Sequence, residues 1–453
     1  MTEFDGTEVA KHNTNEDCWV VINGKIWDVS EFLRDHPGGA SVIAAYSGRD
    51  ATDAYNEIHD PELVIATLPA AKCLGEIRSG TLPESQQKLA ALSTTAAVSA
   101  IAQYPPLWSV VNVAGFEKVA KRYLSPTGWA YYAGGAEDEV SLMDTGRLFR
   151  MITFRPRILR RVEPVSTAVK ILGFPSSLPI YISPTGSGRY AYPNAESVLA
   201  RAAGKEGVVY CMPTTAAHES VFEARSSPDQ PLFFQLYTTR KQTKALAMIK
   251  KLKALGAGAL FLTVDSPVLS RRERDEQAKV TETPGVSSGD LKWIQQATSM
   301  PLILKGVQTV EDAVLAYDHG IQGIVLSNHG GRSLDTAQAP IITLLEIRKH
   351  APHLLAAGIR DKFQVFIDGG FRRGTDVLKA LALGASAVGI GRPFLYSMTA
   401  GYGEAGAVRL LQMFRAEIET NMALAGATAI EELVPEMVNS ERAESEMSRR
   451  IKL

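Results

Sequence analysis

GIVLSNHGGRSLD, residues 323–335, holds the key to the fold. An apolar run, Gly323–Leu326, stops abruptly at Ser-Asn-His-Gly-Gly-Arg. A short apolar run bounded by a glycine turn reads as a buried strand. The turn that ends it carries an imidazole, His329, and a guanidinium, Arg332. The same arrangement recurs at LPIYIS (178–183), GVVYCM (207–212), LFFQLY (232–237), ALFLTVD (259–265), PLILKG (301–306), QVFIDGG (364–370) and AVGIGRP (387–393). Helical patterns lie between the runs: AESVLARAAG, KALAMIKKLKALG, TVEDAVLAYDHG and TDVLKALALG. Short strands alternating with amphipathic helices imply parallel βα units. Eight of them between residues 178 and 393 fit a closed (β/α)8 barrel of the α/β class. An open doubly wound sheet is the alternative, but no GxGxxG follows the first strand.

A barrel of this kind carries its chemistry at the C-terminal strand ends. Nearly all residues at those ends are polar or glycine: Pro184-Thr185-Gly186, Pro213-Thr214, Gln235 and Tyr237, Asp265, Lys305, Asn328-His329, Asp368-Gly369-Gly370 and Gly391-Arg392. A packing-only role would scatter such residues over both barrel faces. DGGFRRG (368–374) and GIGRP (389–393) stand where barrels commonly bind phosphate. Glycine-turn N–H groups with Arg372 and Arg392 suit a dianion. Lys305 is expected as an inward cation ending strand five, and a buried cation needs an anionic partner. A flavin that turns negative on reduction supplies one; a Schiff-base lysine is the rival use. His329 has an imidazole suited to general-base work near neutrality, with Asp265 to orient it. Arg332 can grip a carboxylate with two parallel hydrogen bonds. Tyr131 and Tyr237 can donate to that carboxylate or to a substrate hydroxyl.

The bulk composition narrows the classes. The 453 residues carry a net charge of −1 and 21% charged residues, so nothing in the balance asks for nucleic acid or an anionic membrane. Cys18, Cys73 and Cys211 lie too far apart for a disulfide framework or a thiolate metal site. No apolar run is long enough for a membrane span. The start, MTEFDGTEVAKHNTNEDCW, lacks the apolar core of a secretory signal and the arginines of a transit peptide, so the expectation is cytoplasmic. Three segments are expected: a small mixed domain over 1–79, a Gly/Pro/Ser/Thr/Ala-rich hinge over 80–103, and one long unit over 104–453.

YYAGGAEDE (131–139), FRPRIL (154–159), FFQLY (233–237), LTVDSPVLSRRERD (262–275), LKG (304–306), LSNHGGRSLD (326–335), IDGGFRRGTDVLKALALGA (367–385) and IGRP (390–393) resemble the FMN-dependent α-hydroxy-acid-oxidising family, from about residue 105 to 430. The resemblance implies FMN and oxidation of an L-2-hydroxy acid, lactate or a larger analogue, to the 2-oxo acid. It places the base on His329, its carboxylate partner on Asp265, the substrate-carboxylate arginines on Arg332 and Arg272, and the tyrosines on Tyr131 and Tyr237. It places FMN contacts on Gln235, Thr263, Lys305, Ser327, Asp368, Gly369, Gly370, Arg372, Gly391 and Arg392, with Pro184, Thr185, Gly186 and Pro213 lining the same end. Family members are often tetrameric.

Three departures stand out. Gly186 replaces the family's usual alanine. Pro213 stands where a serine usually meets the flavin, and Thr215 where a large apolar side chain often closes the substrate pocket. Arg272 and Lys305 are only 33 positions apart, so the connecting loop is short for the family.

In the first segment, WVVING and KIWDVS read as short strands around an Asn-Gly turn. FLRDHPGG (32–39) puts His36 on a turn, and His59 follows 23 positions later in NEIHD. Two imidazoles facing across a pocket can bind a haem iron axially, leaving no open position for a substrate. With DCWVVINGKIWDVSEFL before and AYSGRDAT between, residues 4–78 resemble the small α+β cytochrome b5 fold, which implies haem b on His36 and His59. His12, His218, His319, His350 and His353 have no such setting. The two modules in this order resemble the haem-bearing branch of the hydroxy-acid family, which hands electrons singly to an acceptor protein such as cytochrome c. An enzyme of that branch is expected in the mitochondrial intermembrane space if a presequence has been removed. An oxygen-using oxidase and a non-enzymatic electron carrier are the competing expectations.

Overall fold

The structure, a computed structural model, describes residues 2–14, 16–34, 43–44, 46–52, 55–56, 63–78, 80–81, 104–237, 242–268, 270–278, 291–448 and 451. Two compact units divide between Pro105 and Pro106.

The first unit is built on a five-stranded sheet. Its strands are β1 (Glu3–Phe4), β2 (Trp19–Ile22), β3 (Lys25–Asp28), β4 (Arg49–Asp50) and β5 (Cys73–Ile77), in the order β1-β5-β3-β2-β4. The link between β2 and β3 is Asn23-Gly24, at φ 51° and 77°. A two-residue hairpin needs that left-handed pair, and Asn-Gly adopts it at little cost. Alternation splits the apolar residues between two faces. Val20, Ile22 and Trp27 pack with Val29, Leu33, Val64 and Leu68, while Val21 and Ile26 pack with Val9 on the other side.

In the second unit, β6 (Thr153–Phe154) precedes a hairpin of β7 (Val169–Ile171) and β8 (Phe174–Ser176). The barrel follows: β9 (Ile180–Ile182), β10 (Val209–Met212), β11 (Leu232–Leu236), β12 (Leu260–Thr263), β13 (Leu302–Val307), β14 (Gly323–Leu326), β15 (Gln364–Asp368) and β16 (Ala387–Ile390). Each pairs in parallel with the next, and β16 closes onto β9. The last strand, β17 (Val438–Asn439), pairs antiparallel with β6. All eight apolar runs of the sequence are barrel strands. The four helical patterns between them are helices Ala195–Glu206, Gln242–Leu255, Val310–Asp318 and Gly374–Ala382. Their ends follow local chemistry: Thr309 caps the third by accepting from the Asp312 N–H, and Gly207 at φ 66° ends the first.

Strand alternation sorts the core. Leu260, Leu262, Leu302, Leu304, Ile324 and Leu326 point outward into the layer shared with the helices. Tyr181, Val209, Cys211, Phe233, Phe261, Ile303, Val325, Phe366 and Ala387 form a separate cluster inside the barrel. The β7–β8 hairpin closes its lower end with Ile171 and Phe174, the Phe174 ring 5.5 Å from Phe233. Two residues further along the same strands the inward series continues as Ser183, Gln235, Thr263, Lys305, Ser327, Asp368 and Gly389. The fold thus plugs one end of the barrel with rings and lines the other with polar groups. Among the described residues, no helix is long and apolar enough to cross a membrane.

Candidate active site

The turn after β14 is under backbone strain. His329, Gly330 and Gly331 follow one another at φ 59°, 65° and 76°. The left-handed region is natural for the glycines and costly for histidine. Gly331 has no alternative, since a Cβ there would lie 2.6 Å from the Leu142 amide nitrogen. The His329 amide donates to Ser327 Oγ at 3.1 Å, which helps hold the conformation. Strain of this kind persists where the surroundings over-determine it, commonly at functional sites.

The strained turn aims the imidazole. His329 Nδ1 lies 3.1 Å from Asp265 Oδ1 and 3.4 Å from Ser266 Oγ, and Nε2 lies 3.4 Å from the Tyr237 hydroxyl. Burial favours the neutral acid of Asp265, but the His329 ring and the Lys305 ammonium outweigh it and hold the carboxyl below its usual range. An anionic Asp265 fixes the proton on Nδ1 and leaves the Nε2 lone pair facing the barrel mouth.

A second cluster is built around Asp275. Its Oδ2 is 3.2 Å from Arg332 Nη2 and 3.6 Å from Arg272 Nη1, with all three side chains about nine-tenths buried. Arg332 Nη1 also donates to the carbonyls of Tyr131 and Gly134, and its guanidinium lies over the Tyr131 ring at 4.6 Å. Arg272 Nε donates to the Arg332 carbonyl at 3.1 Å. Two cations and a phenol therefore share one corner, and the carboxylate that ties the cations together was not among the residues singled out from sequence. Its only local signal is the i, i+3 spacing from Arg272 in RERD, residues 272–275.

Lys305 differs from its expectation. Strand β13 runs on to Val307, so Lys305 lies within it, and the cation has a protein partner. Asp368 Oδ2 and Ser327 Oγ are each 3.1 Å from Nζ. Burial works against the ammonium, but Asp368 and Asp265 raise its pKa, so it stays charged. Nearby, Gln235 Nε2 donates to Thr263 Oγ1 at 2.9 Å and its Oε1 accepts from the Thr214 amide at 3.1 Å.

The glycine turns after β15 and β16 complete the mouth. Gly369 and Gly370 take φ 89° and 78°, and a Cβ on Gly370 would stand 2.4 Å from Thr145 Cγ2. A Cβ on Gly391 would lie 3.2 Å from Thr185 Cγ2, which brings the turns after β16 and β9 together. Arg392 donates to the Gly330 carbonyl. Burial, with Arg332 and Arg372 nearby, pushes its guanidinium down to about 10. Arg372 Nε lies 3.9 Å from Glu117 Oε2. Pro213 is buried at the end of β10, while Pro184 and Gly186 are half-buried and Thr215 is exposed.

The sequence profile of the FMN-dependent dehydrogenases matches residues 120–289 and 280–440. The chain belongs to the FMN-dependent dehydrogenase family. A second profile, the cytochrome b5-like haem/steroid-binding domain, matches residues 6–83. The chain is 38% identical to L-lactate dehydrogenase (cytochrome) of Wickerhamomyces anomalus, over 95% of this chain and 79% of that one. It is 37% identical to the Saccharomyces cerevisiae enzyme of that name, with the same coverage. A flavocytochrome b2 mutant with pyruvate bound superposes at a TM-score of 0.72, with 36% identity, over 82% of this chain and 95% of that one.

The cofactors are FMN and haem, and the FMN end can be tested against the residues present. Ser183 Oγ, Thr185 Oγ1, Asn328 Nδ2 and Asp368 Oδ1 are buried at the mouth without a hydrogen-bond partner among the described residues. Orphaned polar atoms beside the buried Arg392 guanidinium, with Arg372 nearby, fit a polar heterocycle that carries a phosphate. His36 and His59 lie outside the described residues, as does most of the 80–103 segment. In the described part of that domain, Phe32, Ile43, Ala44, Tyr46 and Tyr55 pack partly buried against the Trp27 cluster, an apolar shell of the kind a macrocycle needs.

Proposed function

We propose that the chain oxidises an L-2-hydroxy acid of the lactate type to the 2-oxo acid, and that electrons leave through the N-terminal haem to a one-electron acceptor protein such as cytochrome c. The observation that carries this reading is the His329 imidazole, locked by Asp265 with Nε2 facing the mouth, beside two arginines in a buried corner. When bound, FMN supplies the two-electron acceptor and haem the one-electron outlet.

The chain's own residues do the rest. Arg332 and Arg272 hold the substrate carboxylate, assisted by the Tyr131 hydroxyl. Tyr237, 3.4 Å from Nε2, orients the substrate hydroxyl. His329 Nε2 takes the substrate proton as the carbon is oxidised, and buried Asp265 stabilises the imidazolium that results. Lys305, kept protonated by Asp368, holds a fixed positive charge at the mouth where negative charge develops.

Anaerobic mixing of purified holoenzyme with L-lactate and other L-2-hydroxy acids tests the reading. The expected result is loss of oxidised-flavin absorbance followed by the reduced-haem bands. Flavin bleaching that never reaches the haem would overturn the electron path. No bleaching with any hydroxy acid, while dithionite reduces both centres, would overturn the activity.

A further inference from the structure

We propose that Glu139 is a positioning residue for the substrate-carboxylate corner: it clasps the segment that carries Arg272 to the turn that Arg332 grips, and so sets how the two guanidiniums face a substrate. This deepens the function proposed above and rests on it. Glu139 stands at the N-cap position of the helix Val140–Phe149, but its side chain does not cap that helix. Asp335, three residues beyond Arg332, does so instead: its Oδ1 accepts from the Ser141 amide at 2.9 Å and its Oδ2 from the Val140 amide at 3.3 Å. The Glu139 carboxylate is turned to another task. Its Oε1 accepts from the Gly135 amide at 2.9 Å, and its Oε2 lies 2.5 Å from Arg274 Nη2. The backbone there is in the left-handed region, at φ 62° for Glu139 and 42° for Glu137, which a Cβ disfavours. Two such residues so close together persist where the surroundings over-determine them.

Those surroundings are the two arginine segments. The Ala136 amide donates to the Gly331 carbonyl at 2.8 Å, and the Glu137 amide to the Arg271 carbonyl at 3.2 Å. The Gly134 carbonyl accepts from Arg332 Nη1 at 3.0 Å. Residues 134–139 are therefore a seam, with one edge on the turn after β14 and the other on residues 271–275. The seam has little slack: a Cβ on Gly135 would stand 3.0 Å from the Gly331 carbonyl oxygen and 3.2 Å from Glu139 Cγ. Arg274, which Glu139 holds, lies between Arg272 and Asp275 on the chain, and Asp275 is the carboxylate that both corner arginines share. The Glu139 side chain is 15% exposed and that of Arg274 49%, so the carboxylate end of the pair is sheltered and solvent screens it less than an open surface pair. Asp275 neutralises the corner; Glu139 fixes where it stands. Two guanidiniums grip one carboxylate only at the right spacing, and a small misplacement is costly. The effect runs through the corner and not through His329, so it belongs to substrate binding rather than to proton transfer.

The test is anaerobic flavin reduction in the full-length holoenzyme by the L-2-hydroxy acid that reduces it fastest, with pyruvate binding read from the perturbed flavin spectrum. Glu139→Ala should raise both the half-saturating substrate concentration and the pyruvate Kd by about tenfold, and leave the limiting rate within about threefold. Glu139→Gln keeps an acceptor for the Gly135 amide and loses only the ion pair, so it should recover part of that loss. Arg274→Gln removes the same ion pair from its half-exposed partner and should match Glu139→Gln; it decides the matter where a Glu139 variant does not fold. Loss of folded protein lowers the amplitude of bleaching and leaves the half-saturating concentration where it was. Half-saturation and pyruvate Kd that do not move in Arg274→Gln, or a limiting rate that falls as far as half-saturation rises, would overturn the proposal while leaving the hydroxy-acid activity standing. Failure of every hydroxy acid to reduce the flavin of the unaltered enzyme would overturn that activity and this inference with it.

Discussion

The two ends of the barrel are made by the same strands and do opposite work. At the lower end, Tyr181, Phe233, Phe261 and Phe366 interlock, with Tyr181 5.8 Å from Phe261 and 5.9 Å from Phe366. Two residues on, the same inward columns present Ser183, Gln235, Thr263 and Asp368. One pleat repeat, about 7 Å, separates a surface chosen for packing from one chosen for charge. The lower end gains by excluding water and needs no partner geometry beyond close fit. The upper end holds Lys305, Asp265 and Asp368 in a buried place where each must be paired, and the pairs Lys305–Asp368 and His329–Asp265 meet that need at 3.1 Å each. Substitutions at the mouth should therefore act on rate and ligand binding, and substitutions at the plug on stability.

The largest expected effect is at the mouth. His329→Gln keeps a hydrogen-bonding side chain and loses the base, so substrate-driven flavin reduction should fall by about 10²- to 10⁴-fold. FMN should remain bound, because the Arg372 and Arg392 end is untouched. Stopped-flow reduction together with the flavin absorbance of the purified variant checks both halves. A variant that lost FMN would show that the turn belongs to the cofactor's support rather than to chemistry.

Phe261→Ala makes the reverse statement. It opens a cavity beneath Thr263 and should cost about 3–5 kcal/mol in urea unfolding. The folded fraction should keep its flavin reduction rate within a few-fold. A hundredfold loss of rate at full FMN occupancy would dissolve the distinction between plug and mouth.

Asp275→Asn tests the mouth's own electrostatics. It leaves two buried guanidiniums without their shared carboxylate, a loss on the order of 3 kcal/mol. A bound carboxylate restores the missing charge, so pyruvate should raise the melting temperature of the variant more than that of the unaltered enzyme. Equal shifts in the two proteins would mean that Asp275 braces its helix and not the arginines.

The same comparison explains what the sequence reveals and what it hides. All eight strands are legible as apolar runs because both barrel layers are buried, and their polar ends are legible because the runs stop there. His329, Arg332 and Asp265 stand at such ends. Asp275 does not: it lies in the short helix Glu273–Gln277, and its meaning depends on Arg332, 57 positions away. The Lys305–Asp368 pair hides for the same reason, since strands β13 and β15 meet across the barrel interior and not along the chain. The plugging hairpin hides for a local one. Its turn is Leu172-Gly173 at φ 52° and 85°, and leucine gives no sign of a left-handed position.

The smallest expected effect concerns acid stability. Burial would raise the Asp265 carboxyl, but His329 and then Lys305 outweigh it and lower it below the ordinary value. A carboxyl lowered by folding binds its proton more weakly in the folded than in the unfolded chain. Its stabilising contribution is therefore complete above the unfolded value of about 3.9 and is lost as pH falls through the folded value. In Asp265→Asn that contribution is absent at every pH. The difference in urea midpoint between the two proteins should shrink as pH falls below about 4. A gap that widened in acid would mean that Asp265 is protonated in the folded enzyme. Nδ1 of His329 would then lose its anionic anchor, and the mouth would be as uncharged at that point as the plug beneath it.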